Sequence, residues 1–212
     1  MIQIADELKE YEAVSYHQYH CNSSILDHKE KNMEKRKVRI VCVHGYKGKA
    51  ENLTYRRLKR LIPSVDIIAE EYDLTDGTAV MKRIEELKPD ILSGNSLGAF
   101  YAMAYEGNCK RILINPCLVP SVEIPKLDTF VSADAVGYWI ELEKRVLVPR
   151  YTNTFGIFAK DDELFRFKKL FDTLCGDANH SILVEGTHIL KDPGLTEGLS
   201  IAVCRLGIQK AI

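Results

Sequence analysis

The sequence predicts an α/β fold, a mostly parallel sheet with helices on both faces, and three observations carry that expectation. From Val38 onward, short runs rich in Val, Ile, Leu and Phe alternate with segments of helical periodicity, the pattern of repeated βαβ units. Two of the helical segments stop just before Pro63 and Pro89, where a helix cannot continue. One apolar run passes through Gly94 and Ser96 straight into a stretch of small and apolar residues, a strand, a tight turn and a helix in immediate succession.

Strands are expected at Val38 to Val43, Ser64 to Ala69, Asp90 to Ser93, Arg111 to Ile114, Thr154 to Ala159 and Ser181 to Val184, each brief and β-rich as buried parallel strands are. Leu58, Leu61 and Ile62, then Val80, Ile84 and Leu87, have the spacing of crossover helices. Leu164, Phe167, Phe171 and Leu174 repeat it after the fifth strand, as do Leu195, Leu199, Ala202 and Leu206 after the sixth. Only Val119 to Tyr151 interrupts the alternation. This insert carries the single tryptophan, Trp139, between Tyr138 and Ile140, and is either a small cap bordering the site or ordinary packing helix.

Length and charge narrow the function. At 212 residues one domain is the default, here residues 38 to 212 preceded by a polar appendage over 1 to 37. Met33 is a candidate alternative start, and the alternative to a free arm is pairing of Ala13 to Tyr19 at a sheet edge. The net charge of −1 from 29 basic and 30 acidic residues provides no field for nucleic acid or anionic lipid. A small, near-neutral substrate fits better. No apolar run is long enough to span a membrane, and Met1 to Glu12 is acidic where a signal peptide is basic, so a cytoplasmic location is expected. The six cysteines form no CxxC pair, and free, mostly buried thiols are expected. His17, His20, Cys21 and His28 match no familiar zinc spacing; neither metal nor cofactor is expected. Oligomeric state is left open.

The chemistry-bearing pattern is Ile91-Leu92-Ser93-Gly94-Asn95-Ser96-Leu97-Gly98-Ala99, in which G-x-S-x-G between strand and helix is a nucleophile elbow. Side chains at Gly94 and Gly98 would collide with neighbouring backbone, and Ser96 would stand exposed on the strained turn. Upstream, Val41-Cys42-Val43-His44-Gly45-Tyr46 ends a strand where an oxyanion loop belongs, so the backbone N–H groups of Tyr46 and Leu97 are the expected oxyanion donors. His44 precedes the nucleophile and reads as a loop residue rather than a base. Gly45-Tyr46-Lys47-Gly48-Lys49-Ala50 lacks the spacing and the Ser or Thr of a P-loop.

A general base is expected at His188, in the loop after the last strand; His180 precedes that strand and would lie at the opposite edge. Acids at the end of the fifth strand, Asp161 and Asp162, supply the third member. Asp161 is expected to cap or flank a helix beginning near Glu163, and Asp177 is the reserve acid. The order Ser, acid, His is the one this fold uses.

Four segments also resemble small α/β-hydrolase esterases of the YqiA type: His44-Gly45-Tyr46, Gly94-Asn95-Ser96-Leu97-Gly98, Leu113-Ile114-Asn115-Pro116, and Asp162-Glu163-Leu164 with Gly186-Thr187-His188. The resemblance implies Ser96, Asp162 and His188 as a triad, prefers Asp162 over Asp161, and calls for no cofactor. Ala99 stands where that family often has a second glycine, and the insert and the N-terminal arm have no counterpart in it. The expectation is thus a serine hydrolase of small esters or thioesters acting through an acyl-enzyme. The alternative is a hydrolase fold turned into an inactive binding module, which would not need to keep all three residues.

Overall fold

The computed structural model describes residues 37–208. The appendage expected over 1 to 37 lies outside these except for Lys37, and so do His17, His20, Cys21 and His28. Six strands, β1 (Arg39–Val43), β2 (Asp66–Ala69), β3 (Ile91–Asn95), β4 (Lys110–Ile114), β5 (Thr154–Ala159) and β6 (Ser181–Val184), form one sheet in the order β2-β1-β3-β4-β5-β6. Every pairing is parallel, as chains that cross over through helices require.

Side chains of β1 alternate between the two faces. Val41 and Val43 enter one core with Val80, Ile84 and Phe100, whereas Ile40 and Cys42 enter the other with Leu58, Leu195 and Leu199. Two helices, α1 (Leu53–Leu61) and α7 (Gly194–Arg205), cover the second face. The first face is covered by α2 (Gly77–Leu87), α3 (Leu97–Ala104), α5 (Ala133–Val146) and α6 (Lys168–Cys175). Asn52 caps α1 by accepting from the Tyr55 N–H at 3.1 Å, and Asp76 caps α2 by accepting from Ala79 at 3.0 Å. All eight residues of α3 are buried, which matches a sequence, Leu-Gly-Ala-Phe-Tyr-Ala-Met-Ala, that is apolar on every side.

Two expectations need correction. The helix after β5 begins at Lys168, so Leu164 and Phe167 precede it; the carboxylate of Asp162 accepts the Leu164 and Phe165 N–H groups, both at 2.9 Å, and turns the chain before a helix can start. In the insert, α4 (Pro120–Leu127) and α5 divide the work differently from the cap reading. Trp139 is fully buried, its Nε1 donating to the Tyr101 hydroxyl at 2.7 Å, and a Cβ on Gly77 would strike the Tyr138 ring at 2.2 Å. Both aromatics pack against the first-face helices, since an indole is accommodated in a core where its N–H finds an acceptor. Five described cysteines are unpaired, four of them buried. Among the described residues no helix is long and apolar enough to cross a membrane.

Candidate active site

The chain reverses between β1 and β3, β2 being added on one side of β1 and β3 on the other, and clefts form outside the strand ends at such a switch point. Here β3 ends at Asn95, Ser96 has φ 53° and ψ −117°, and Leu97 opens α3. A Cβ on Gly94 would lie 2.5 Å from Ala99, and one on Gly98 would lie 2.2 Å from the His44 carbonyl. Only glycine lets the helix start this close to two strands. A positive φ at a non-glycine residue costs about 1–3 kcal/mol and persists where neighbours hold it. The neighbours are in β4 and the loop after it: the Ser96 N–H donates to the Ile114 carbonyl at 2.9 Å, and the Cys117 N–H to the Ser96 carbonyl at 3.1 Å. Leu97, as the first residue of the helix, has an N–H without an intrahelical acceptor.

The loop after β1 passes over this turn, an ideal Cβ on Gly45 falling 3.3 Å from that of Ser96. The Gly48 N–H donates to the Gly45 carbonyl at 2.8 Å, with Lys47 at φ 53°, so residues 45–48 make a type II turn. Such a turn uses the first carbonyl and the last N–H, leaving the Tyr46 N–H out of its own bonding. His44 is buried; its Nε2 accepts the Tyr72 N–H at 2.9 Å, which places the ring proton on Nδ1, 2.8 Å from the Gly45 carbonyl. A neutral ring engaged at both nitrogens holds the loop and is not available as a base.

His188 lies across the cleft. Its Nδ1 is 3.1 Å from each oxygen of Asp162, a carboxylate that is only 5% exposed, which leaves Nε2 free of that pairing. Burial pushes the Asp162 carboxyl up, but the His188 contact and the Phe165 and Leu164 N–H groups together bring it below its ordinary value. The Phe165 ring meets the imidazole edge-on at 4.8 Å, and the His188 N–H donates to Glu163 Oε2 at 2.9 Å. Asp161 is exposed and contributes its backbone N–H, 3.0 Å from the Gly186 carbonyl; with the next helix beginning at Lys168 it caps nothing. His180 sits at the other end of β6, its Nδ1 3.1 Å from the Thr154 carbonyl, and Asp177 accepts from the Asn179 N–H beside it.

Asn115, in the segment Leu113-Ile114-Asn115-Pro116, has a structural role that the motif alone does not give. It is buried at φ 42°; Oδ1 accepts the Ala159 N–H at 2.8 Å and Nδ2 donates to the His188 carbonyl at 2.9 Å. One side chain thus ties β4 to the end of β5 and to the histidine loop. Asparagine tolerates this backbone region better than most residues, and its position directly before Pro116, where helical backbone is disfavoured, was the available signal.

Ser96, His188, Gly45 and Tyr46 line one cleft of about 400 Å³, a volume suited to a small organic ligand. Apolar walls come from Leu53, Ile124, Leu127, Leu164 and Ile189; Asn95 and Thr54 join by a 3.0 Å hydrogen bond on the polar side. Of the insert only α4 takes part, and Tyr138, Trp139 and Ile140 do not reach the lining. Ser96 Oγ and His188 share the cleft without a hydrogen bond between them among those described. No group of three or more His, Cys, Asp or Glu side chains among the described residues is placed to hold a metal ion.

No family model matches the chain, and no curated protein matches it in sequence. Solved structures do share its fold. A hydrolase assigned to the alpha/beta superfamily from Xanthomonas campestris pv. campestris superposes with a TM-score of 0.55 at 17% identity, over 83% of this chain and 100% of the other. Est1E from Butyrivibrio proteoclasticus gives 0.55 at 15%, over 85% and 90%. One of the metagenome-derived lipolytic enzymes LipS and LipT gives 0.52 at 14%, over 78% and 93%. At such identities the likeness establishes the α/β-hydrolase fold.

Proposed function

We propose that the chain is a serine hydrolase of small carboxylic esters, with Ser96 as nucleophile, His188 as general base and Asp162 as the acid that orients it. The observation carrying this reading is the pairing of His188 Nδ1 with both oxygens of the buried Asp162 at 3.1 Å, in the cleft that Ser96 also lines. A carboxylate so placed fixes the tautomer that presents Nε2 as a proton acceptor. Ser96 Oγ attacks the ester carbonyl carbon while Nε2 takes its proton. The carbonyl oxygen becomes an oxyanion received by the Tyr46 and Leu97 N–H groups, each such donor being worth roughly 10²–10³ in rate. The positive end of α3 adds to their field. The imidazolium then protonates the departing alkoxide, leaving an acyl-enzyme; water, deprotonated by His188, releases the acid and restores Ser96.

The apolar wall formed by Leu53, Ile124 and Leu127 suits an uncharged acyl or alcohol group, and thioesters react by the same steps. Likeness to the YqiA-type esterases in the four segments named above supports the same reading. The test is labelling of the folded protein with a fluorophosphonate, which reacts with activated serines whatever the substrate. Wild type is expected to label and Ser96→Ala to remain unlabelled, with matching circular dichroism. Folded wild-type protein that does not label removes the reading.

A further inference from the structure

The turn that carries the Tyr46 N–H is built against its own preference. A type II turn favours glycine at its third position, and Lys47 occupies that position at φ 53°. Turn chemistry alone would let it relax to another conformer. What holds it comes from the insert: Tyr46 Oη donates to Asp128 Oδ2 at 2.8 Å, and Lys47 Nζ lies 2.5 Å from the same oxygen. The two central residues of the turn are thus gripped by one atom. The other oxygen, Oδ1, accepts the Phe130 N–H at 3.0 Å, so the carboxylate is itself oriented by its own loop. Asp128 directly follows α4, whose Ile124 and Leu127 line the cleft.

We propose that Asp128 is a positioning residue for the proposed hydrolysis, clasping Tyr46 and Lys47 so that the Tyr46 N–H stays aimed at the oxyanion. This rests on the function proposed above. Lys47, the Phe130 N–H and Tyr46, in that order, pull the Asp128 carboxyl down to about 2. Burial, with Asp128 next, pushes the Tyr46 phenol up to about 12. Both partners therefore keep their charge states across the working range, and the clasp is a constant fixture rather than a pH switch. Since the oxyanion forms only in the transition state, loosening the donor lowers kcat and leaves KM nearly unchanged.

The full-length protein with p-nitrophenyl acetate tests the idea. Asp128→Ala is expected to lower kcat by about 30-fold, less than the roughly 10²–10³ that outright loss of an oxyanion donor costs, with KM within about twofold of wild type. Adding Lys47→Gly to that variant gives the turn its preferred residue, and is expected to recover most of the lost kcat. A side chain that served stability alone would lower the melting temperature without this kcat loss and without rescue. Retained kcat in Asp128→Ala, or loss with no recovery on adding Lys47→Gly, overturns the proposal. If Asp128→Ala does not fold, Tyr46→Phe/Lys47→Met removes both arms and leaves α4 intact. The same fall in kcat is then expected, and an unchanged kcat overturns the clasp. Fluorophosphonate labelling of wild type separates the two readings: labelled protein indifferent to these variants refutes the clasp alone, and unlabelled protein refutes both.

Discussion

The two edges of the sheet are finished in opposite ways. At the N-terminal edge, Arg111 donates to the carbonyls of Ala102, Tyr105, Gly107 and Cys109, closing the C-terminal end of α3 and the loop that follows. Arg39 in β1 likewise donates to Asp66 and to the Leu87 carbonyl, while its N–H donates to Asp90. At the C-terminal edge, three of the four described non-glycine residues with positive φ gather around the cleft: Lys47, Ser96 and Asn115, at 53°, 53° and 42°. Helix α3 belongs to both regions, with strained backbone and an open N-terminus at one end and a cation on its carbonyls at the other, which also suits the helix dipole. Groups at one edge face open space while those at the other are engaged with one another, and a mutation should therefore act on chemistry or on stability according to its edge.

The sharpest test lies within the reactive edge. Asp162→Asn is expected to reduce kcat on an activated ester by about 10⁴ through loss of His188 orientation, whereas the exposed neighbour change Asp161→Asn should leave it nearly unaltered. Steady-state rates for the two variants decide it, and a severe Asp161→Asn with a mild Asp162→Asn would reverse the assignment. A smaller effect is expected from the tied edge. Arg111→Ala should destabilise the fold by about 2–4 kcal/mol, because several carbonyls lose a charged donor. Urea unfolding measures this, and Ser96 in the folded variant should label at the wild-type rate. A parallel loss of labelling would show that the two edges are not separable.

The smallest expected effect is on the pH dependence of stability. The Asp162 carboxyl is lowered in the folded state by the His188 contact and backbone N–H groups, which outweigh its burial. Its contribution is present above the ordinary carboxylate value near 3.8 and is lost as pH falls through the lower folded value. The stability gap between wild type and Asp162→Asn, followed by urea unfolding, should therefore narrow below about pH 4. Arginine does not titrate there, so the gap opened by Arg111→Ala should hold steady across the same range.

Much of the fold could be read because its strands are short apolar runs bounded by turn residues; β5 and β6 begin and end where the pattern places them. The errors have local causes. β3 continues two residues beyond Ser93 because Gly94 and Asn95 still pair, opposite Leu113 and Ile114. Leu164 and Phe167 have helical spacing, yet hydrogen bonds to Asp162 hold that segment as a loop. The positions of Ser96, Asp162 and His188 were legible because each stands at a set offset from a strand end. Asp128 was not, since its partner Tyr46 is 82 residues away and no local pattern joins them. Trp139 misled by rarity: an unusual residue in an insert invites a role at the cleft, while its place on an amphipathic helix buries it.

The sheet order has a consequence for coexistence with other copies of the chain. In the described sheet the boundary strands β2 and β6 have four residues each, whereas the four interior strands have five or six. Unpaired boundary strands are templates on which a neighbouring molecule can add a strand of its own, and short ones offer few bonds for that purpose. On β2 the first residue, Asp66, also carries a charge engaged by Arg39, which further discourages addition. The longer, apolar strands β1 and β3, which lead into the loops of Tyr46 and Ser96, are kept in the middle of the described sheet, where a neighbouring molecule reaches them least, and only the His188 loop follows a boundary strand.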